Sequence, residues 1–110
     1  MPHERIVLID QLRRLLEQQR YNSVVIHNYC RSAEHFLEYL AWRNVAVNAV
    51  TPDYVSRYLR YAVRRFHQRH GHPPASRWES IPRAGIYALL RLVQKTWPPD
   101  PPAMIRFRLP

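Results

Sequence analysis

Apolar side chains recur every three or four residues in four stretches of the chain, and this spacing predicts four amphipathic helices. The helices are predicted over about 4–20, 23–43, 52–70 and 80–97. Val45 and Val47 lie in a predicted connector, and we expect their side chains to pack into the core rather than to form a strand. Four amphipathic helices joined by short loops predict an all-α fold, a compact four-helix bundle.

Each predicted helix carries one apolar stripe that we expect to face the core. In the first helix the stripe consists of Ile6, Ile9, Leu12 or Arg13, and Leu16. In the second helix it consists of Val25, Tyr29, Ala33, Phe36 and Leu40, opposite a face that carries His27, Asn28, Arg31 and His35. The third helix is expected to bury Val55, Leu59, Ala62 and Phe66, and the fourth Ile86, Leu89, Leu90, Val93 and Trp97.

Capping signals mark most of the predicted helix ends. Asn22 or Ser23 can cap the second helix, because each side-chain oxygen can accept from free backbone N–H groups of the first turn. Thr51 is followed by a proline, which marks the start of the third helix, and Gly71 can end that helix in the left-handed conformation. Ser80 is predicted to cap the fourth helix.

Proline placement suggests the domain organisation. The prolines cluster after Gly71 and near the C-terminal end, where the segment 98–102 contains four of them. We expect one helical domain at 1–97 and a Pro-rich, extended linker and tail at 98–110.

The charge of the chain narrows the range of partners. Seventeen Lys and Arg residues face eight Asp and Glu, which gives a formal net charge of +9, and all but one of the basic residues are arginine. An excess of positive charge attracts polyanions, and the guanidinium fork suits phosphate groups and guanine edges. The composition, together with the helix pattern, therefore favours a nucleic-acid partner over a solvated basic surface that has no specific partner.

The expected compartment follows from what the sequence lacks. The single cysteine, Cys30, falls on a predicted helix, where we expect it to be partly buried, and it has no partner for an intramolecular disulfide. No segment reaches transmembrane length, and the apolar run 6–9 is too short for a signal-peptide core. We expect a cytoplasmic protein without a membrane partner.

Catalytic and metal-binding motifs are not recognisable in the sequence. Two glycines cannot build a Gly-rich phosphate loop, and no Ser, Thr or Cys stands in a nucleophile motif. His67, His70 and His72 straddle a predicted helix end, a spacing that fits a basic helix terminus better than a zinc site. We therefore predict a protein that is not an enzyme, with no catalytic residues, no metal and no cofactor.

Polar residues on the predicted helices point to DNA. An α-helix fits the major groove of duplex DNA, where Arg can bridge guanine acceptors and Asn can bridge adenine. Arginines along the third helix suit phosphate contacts. The predicted DNA-binding residues are Asn22, Ser23, His27, Asn28 and Arg31 in the second helix, Arg57, Arg60 and Arg64 in the third, and Arg83, Tyr87, Arg91 and Lys95 in the fourth.

The order of these motifs resembles the N-terminal core-binding domain of tyrosine recombinases, the phage integrases. Asn22, Val25, Tyr29 and Phe36 take the places of the family pattern S-x-x-T-x-x-x-Y-x-x-x-x-x-x-F. The segment 50–59 matches I-T-x-x-x-V-x-x-Y-L, and a looser A-L-R match lies near Arg91, so the likeness covers about 4–97. Val25 departs from the pattern because it lacks the threonine hydroxyl, and the loop before the fourth helix is longer.

The resemblance implies an orthogonal, SAM-like four-helix bundle that binds double-stranded DNA in DNA integration and site-specific recombination. In the family a separate domain supplies the catalytic tyrosine, and nothing after Pro98 can hold such a set. The chain therefore resembles a truncated fragment, and a separate catalytic domain or a full-length recombinase is an expected partner.

Two other functions are alternatives to a DNA-binding domain of the recombinase type. A different nucleic-acid-binding regulator of helix-turn-helix type needs a short turn, and the loops here are longer. A basic helical module that binds proteins or an anionic surface is the main alternative. It predicts an exposed apolar patch, for which Trp42, Trp78 and Trp97 are available, although tryptophans at helix ends more often close a core.

Overall fold

The fold is all-α, as the sequence pattern predicts. The computed structural model describes the backbone of residues 2–98 and the side chains of residues 4–98; the predicted tail beyond Pro98 lies outside the described residues. The helices are α1 (Pro2–Gln18), α2 (Ser23–Arg43), α3 (Pro52–His70) and α4 (Ser80–Val93), with one 3₁₀ turn at Val47–Ala49 between α2 and α3. None of these helices is both long and apolar enough to cross a bilayer.

Side-chain caps hold the starts of α2 and α3. The Oδ1 atom of Asn22 accepts from the Val25 N–H at 2.9 Å, and Oγ1 of Thr51 accepts from the Tyr54 N–H at 3.2 Å. At the far end of α3, Gly71 adopts φ 78°, a left-handed conformation that glycine enters without a Cβ penalty. The predicted ends of these two helices are therefore confirmed, with Asn22 rather than Ser23 as the cap of α2.

The predicted start of α4 near Ser80 is confirmed, whereas the predicted cap and the predicted C-terminal end are wrong. Ser80 is the first residue of the helix and not its cap, because its hydroxyl donates backwards to the Arg77 carbonyl at 2.7 Å. The helix stops at Val93 because Gln94 adopts an extended backbone, and its side-chain amide donates to the carbonyls of Val47 and Val50 at 3.1 and 2.9 Å. Trp97 is still buried, although it lies beyond the helix.

The core joins all four helices and follows most of the predicted stripes. Its completely buried residues include Leu12 and Leu16 of α1, Ala33 and Phe36 of α2, Val55 and Leu59 of α3, and Ile86, Leu89 and Leu90 of α4. Val45 and Val47 pack against this core from the connector, as predicted. Leu12 occupies the core position of α1 that was predicted for Leu12 or Arg13, because Arg13 is exposed. Ile6 was predicted to be buried, and this prediction is wrong, since 68% of its surface is exposed.

The buried face of α2 is rotated from the predicted one in its first turns. Ile26 and Cys30 are buried there, whereas the predicted Val25 and Tyr29 are half-buried. Gly85 of α4 lies against the backbone of Tyr29, so close that a Cβ atom at Gly85 would stand 2.7 Å from the Tyr29 carbonyl oxygen. The backbones of α2 and α4 therefore pack closely at this point.

Candidate nucleic-acid interface

A groove of about 740 Å³ runs between α2 and α3 and ends at the first turn of α4. Its volume lies within the roughly 300–1,000 Å³ range of ligand sites. Asn28, Arg31 and His35 contribute to its α2 wall. The α3 wall includes Arg65 and Arg69, and the far end is closed by Phe66, Trp78, Ile81 and Pro82.

Three aromatic side chains, Tyr39, Trp42 and Tyr61, form the floor at one end of this groove, and we call them the aromatic platform. The Tyr39 ring centroid lies 4.9 Å from that of Tyr61 and 5.8 Å from that of Trp42. Trp42 is 69% exposed. The Arg43 guanidinium lies 5.8 Å from the Trp42 ring centroid and 5.9 Å from that of Tyr39, within cation–π range. The prediction that tryptophans close the core is therefore wrong for Trp42.

A buried tyrosine connects the aromatic platform with the core. The Tyr58 ring stands 4.9 Å from Tyr39 and 5.0 Å from Phe36, measured between ring centroids. Burial raises the pKa of Tyr58 to about 12, with smaller contributions from Tyr61, Glu38 and Tyr39. Tyr58 therefore stays neutral at ordinary pH and supports the floor without adding charge.

The walls of the groove carry positive charge. Arg31, Arg65 and Arg69 are exposed along it, and within the described residues none of them forms an ion pair. Glu38 is the one carboxylate on the groove lining in the described part of the chain, and it lies 4.0 Å from the Arg5 guanidinium of α1. The groove therefore presents an excess of guanidinium groups to a ligand.

The outer face of α3 carries a second set of arginines. Arg57 is engaged by Asp53, whose Oδ2 atom accepts from Nη2 at 3.1 Å and from Nε at 3.3 Å. Arg60 and Arg64 are exposed beside the 73–79 loop and have no ion-pair partner between residues 4 and 98. Arg60 and Arg64 are therefore more available to an anion than Arg57 is.

The predicted residues of α2 fall into three positions. Asn22 caps the helix, so its Oδ1 atom already holds a hydrogen bond. Ser23 and His27 are exposed, and neither lines the groove. Asn28 and Arg31 do line it, so these two join the arginines of α3 at one surface.

The predicted outward face of α4 is only partly outward. Arg83 and Tyr87 are half-buried, and Tyr87 packs edge-to-face against Trp97 at 5.1 Å. The physical reason is that α4 packs against the other three helices, which leaves little of its surface in water. Arg91 is exposed in a separate depression between α1 and α4, and Lys95 is exposed in the turn after α4. These four residues do not line the groove.

The most prominent groove residues, Trp42, Tyr39, Tyr61, Arg65 and Arg69, were not among the predicted site residues. A sequence signal for the aromatic ones exists. Tyr39 and Trp42 are three residues apart in α2, whereas Tyr54, Tyr58 and Tyr61 are four and then three apart in α3, so each set shares a helix face. The sequence does not reveal that the two faces meet.

His70, at the end of α3, and His72, just beyond it, belong to an aromatic cluster. The Phe66 ring centroid lies 4.2 Å from His70, 5.8 Å from His72 and 5.4 Å from Trp78. The described residues contain no group of three or more His, Cys, Asp or Glu side chains that could hold a metal ion. Cys30 is buried more completely than the predicted partial burial, and burial raises the pKa of its thiol.

No protein-family model, curated protein or solved structure matches this chain.

Proposed function

We propose that this chain is a DNA-binding module that holds duplex DNA against the exposed arginines on the outer face of α3. The observation that carries the proposal is that Arg60 and Arg64 are exposed on this face without an ion-pair partner in the described part of the chain. Exposed cations without carboxylate partners favour a polyanion.

The spacing of these arginines suits a phosphate backbone. Arg60 and Arg64 are four residues apart, so they lie one turn apart on the same side of α3, about 6 Å along the helix. One strand of duplex DNA carries a phosphate about every 3.4 Å along the helix axis, so this length faces about two phosphates. In this proposal Arg60 and Arg64 supply affinity and salt dependence. Asn28 and Arg31 line the groove on the other side of α3 and are not part of the proposed duplex surface.

The resemblance to the core-binding domain of tyrosine recombinases also supports a DNA-binding function. An all-α bundle agrees with that resemblance. The proposed context is DNA integration or site-specific recombination, in which this chain would contribute binding and a separate recombinase chain or domain would contribute catalysis. The proposal therefore includes no catalytic step by this chain.

The test is a titration of a labelled 20-base-pair duplex with two double variants at two NaCl concentrations. Arg60→Gln/Arg64→Gln removes two unpaired guanidinium groups from α3. Arg13→Gln/Arg14→Gln makes the same charge change on α1, where Arg14 pairs with Asp10 at 3.1 Å. We expect the α3 variant to bind roughly tenfold more weakly at low salt and its salt slope to fall by about two, because each phosphate contact contributes about 0.9.

The control defines what would contradict the proposal. An equal loss in the α1 variant would show that net charge alone controls binding and that α3 is not the interface. Absence of duplex binding at low salt, or binding that salt does not weaken, would remove the proposed function itself.

A further inference from the structure

The exposed ring of Trp42 is the starting point. Folding leaves 69% of this side chain in water, although the ring is held in place beside Tyr39. A large aromatic residue kept in water and fixed by its neighbours is typical of a contact site. The aromatic platform therefore provides a fixed π surface at one end of the groove.

The charges of the groove restrict what can occupy it. A neutral apolar ligand would cover the aromatic platform but would leave Arg31, Arg65 and Arg69 without anionic partners. Glu38 does not balance them, because it is one carboxylate against three guanidinium groups and also lies 4.0 Å from Arg5. A ligand that fits both features carries flat apolar groups and regularly spaced negative charges.

Nucleotides of an unpaired strand meet both requirements. Bases inside a duplex are stacked on one another, whereas the bases of a single strand expose π faces that stack on aromatic side chains. The groove side of α3 from Tyr61 to His70 is about 14 Å long, enough for more than one nucleotide.

We propose that the groove between α2 and α3 binds single-stranded DNA, with bases stacked on the aromatic platform and phosphates held by Arg65 and Arg69. The assignment to DNA rather than another nucleic acid rests on the proposed function. The location of the site and the single-stranded state of the ligand are argued from the aromatic platform and the arginines of the groove. Duplex and single strand would then use neighbouring surfaces of α3, its outer face and its groove face.

The test measures tryptophan fluorescence during titration with the twelve-nucleotide strand dT12. Stacking of a base on Trp42 should quench the emission of the wild-type chain. Trp42→Ala should weaken dT12 binding by at least about fivefold, because stacking on one aromatic ring contributes that much or more. Trp42→Phe keeps a stacking ring, so it should bind within about twofold of wild type while losing the Trp42 signal.

Two controls separate stacking from other effects. Tyr21→Ala removes an exposed aromatic ring outside the groove and should bind dT12 like wild type. Trp42→Ala should keep its far-UV circular dichroism and its duplex affinity, because Trp42 is exposed and away from the outer face of α3. Failure of the groove proposal is thus read from dT12, and failure of the proposed function from the duplex.

The overturning results are specific. Absence of quenching by dT12, or equal dT12 affinity of wild type and Trp42→Ala, would remove the stacking site. Tighter binding of the ribonucleotide strand U12 would overturn the assignment to DNA. Competition by a poly-glutamate peptide as effective as that by dT12 would show that charge alone fills the groove.

Discussion

At the scale of single residues, Tyr58 illustrates how one side chain serves both the core and the candidate site. It is 8% exposed, and its ring contacts Phe36 on the core side and Tyr39 on the groove side. Because burial penalises the phenolate, its pKa is raised to about 12. The support of the aromatic platform therefore depends on a tyrosine that remains protonated.

Protonation of Tyr58 should make folding stability depend on pH in alkaline solution. The folded pKa, about 12, lies above the ordinary value of 10.0, so the stabilisation is complete below pH 10 and is lost as pH rises toward 12. Two pKa units correspond to at most about 3 kcal/mol, and about 1 kcal/mol of this should be lost by pH 11. Urea unfolding of wild type and Tyr58→Phe from pH 9 to 11 measures it.

Tyr58→Phe should show a flatter decline in the free energy of unfolding over that pH range, since phenylalanine has no proton to lose. Tyr21→Phe, at an exposed position, is the matched control and should decline like wild type. Equal slopes for Tyr58→Phe and wild type would mean that Tyr58 ionises as readily in the folded state as in the unfolded state.

At the scale of helices, local chemistry explains most of what could be predicted. The start of α3 was predictable because Thr51 and the proline after it act on neighbouring backbone groups. The end of α4 was not, because Gln94 reaches the carbonyls of Val47 and Val50, more than forty positions away. The sequence did not decide which face of α2 is buried in its first turns, because residues 24–26 are three successive apolar residues and are compatible with either face.

The same distinction applies to the candidate site. The arginines of α3 were visible as a charge run, and Asn28 and Arg31 as neighbours on one helix face. The aromatic platform joins Tyr39 and Trp42 of α2 to Tyr61 of α3, so it depends on how two helices pack. Helical periodicity gives the face of each helix but not which faces meet, and for this reason the groove was missed.

The α2–α4 contact at Gly85 gives a prediction at the helix scale. In an isolated helix, alanine is favoured over glycine by about 1 kcal/mol. Here the new Cβ would lie 2.7 Å from the Tyr29 carbonyl oxygen and 2.9 Å from its Cα, both backbone atoms, so the two helices must separate. We expect Gly85→Ala to lower the free energy of unfolding by about 1–3 kcal/mol, the usual range for overpacking, as measured by urea unfolding.

Gly71→Ala is the matched comparison for this prediction. A Cβ at Gly71 meets nothing within 4 Å, but φ is 78°, so its destabilisation of about 1–2 kcal/mol is conformational and local to the end of α3. Only Gly85→Ala should also perturb the near-UV spectrum of tyrosines by moving Tyr29. A Gly85→Ala protein as stable as wild type would contradict the close α2–α4 contact.

At the scale of the whole molecule, the excess of positive charge has opposite effects: it destabilises the folded chain by repulsion and it favours binding of a polyanion. The formal net charge is +9, and the described residues contain three ion pairs, all of them with exposed or half-exposed side chains. Exposed pairs contribute about 0–1 kcal/mol each, so they compensate little of the repulsion among the remaining guanidinium groups. A surface that suits a polyanion therefore destabilises the folded chain in its absence.

Salt should consequently change stability and DNA binding in opposite directions. Raising NaCl from 0.05 to 0.5 M shortens the screening length well below 10 Å, which weakens arginine–arginine repulsion in the compact state more than in the unfolded chain. We expect Tm to rise by a few degrees, equivalent to about 1 kcal/mol or less for a chain of this size, while duplex affinity falls. Thermal melts and titrations across the same NaCl series measure the two effects.

Arg60→Gln/Arg64→Gln lowers the net charge by two, so its Tm should rise less with salt than that of wild type. A Tm that falls with NaCl would mean that the three ion pairs outweigh the repulsion, and the proposed conflict between folding and polyanion binding would be wrong.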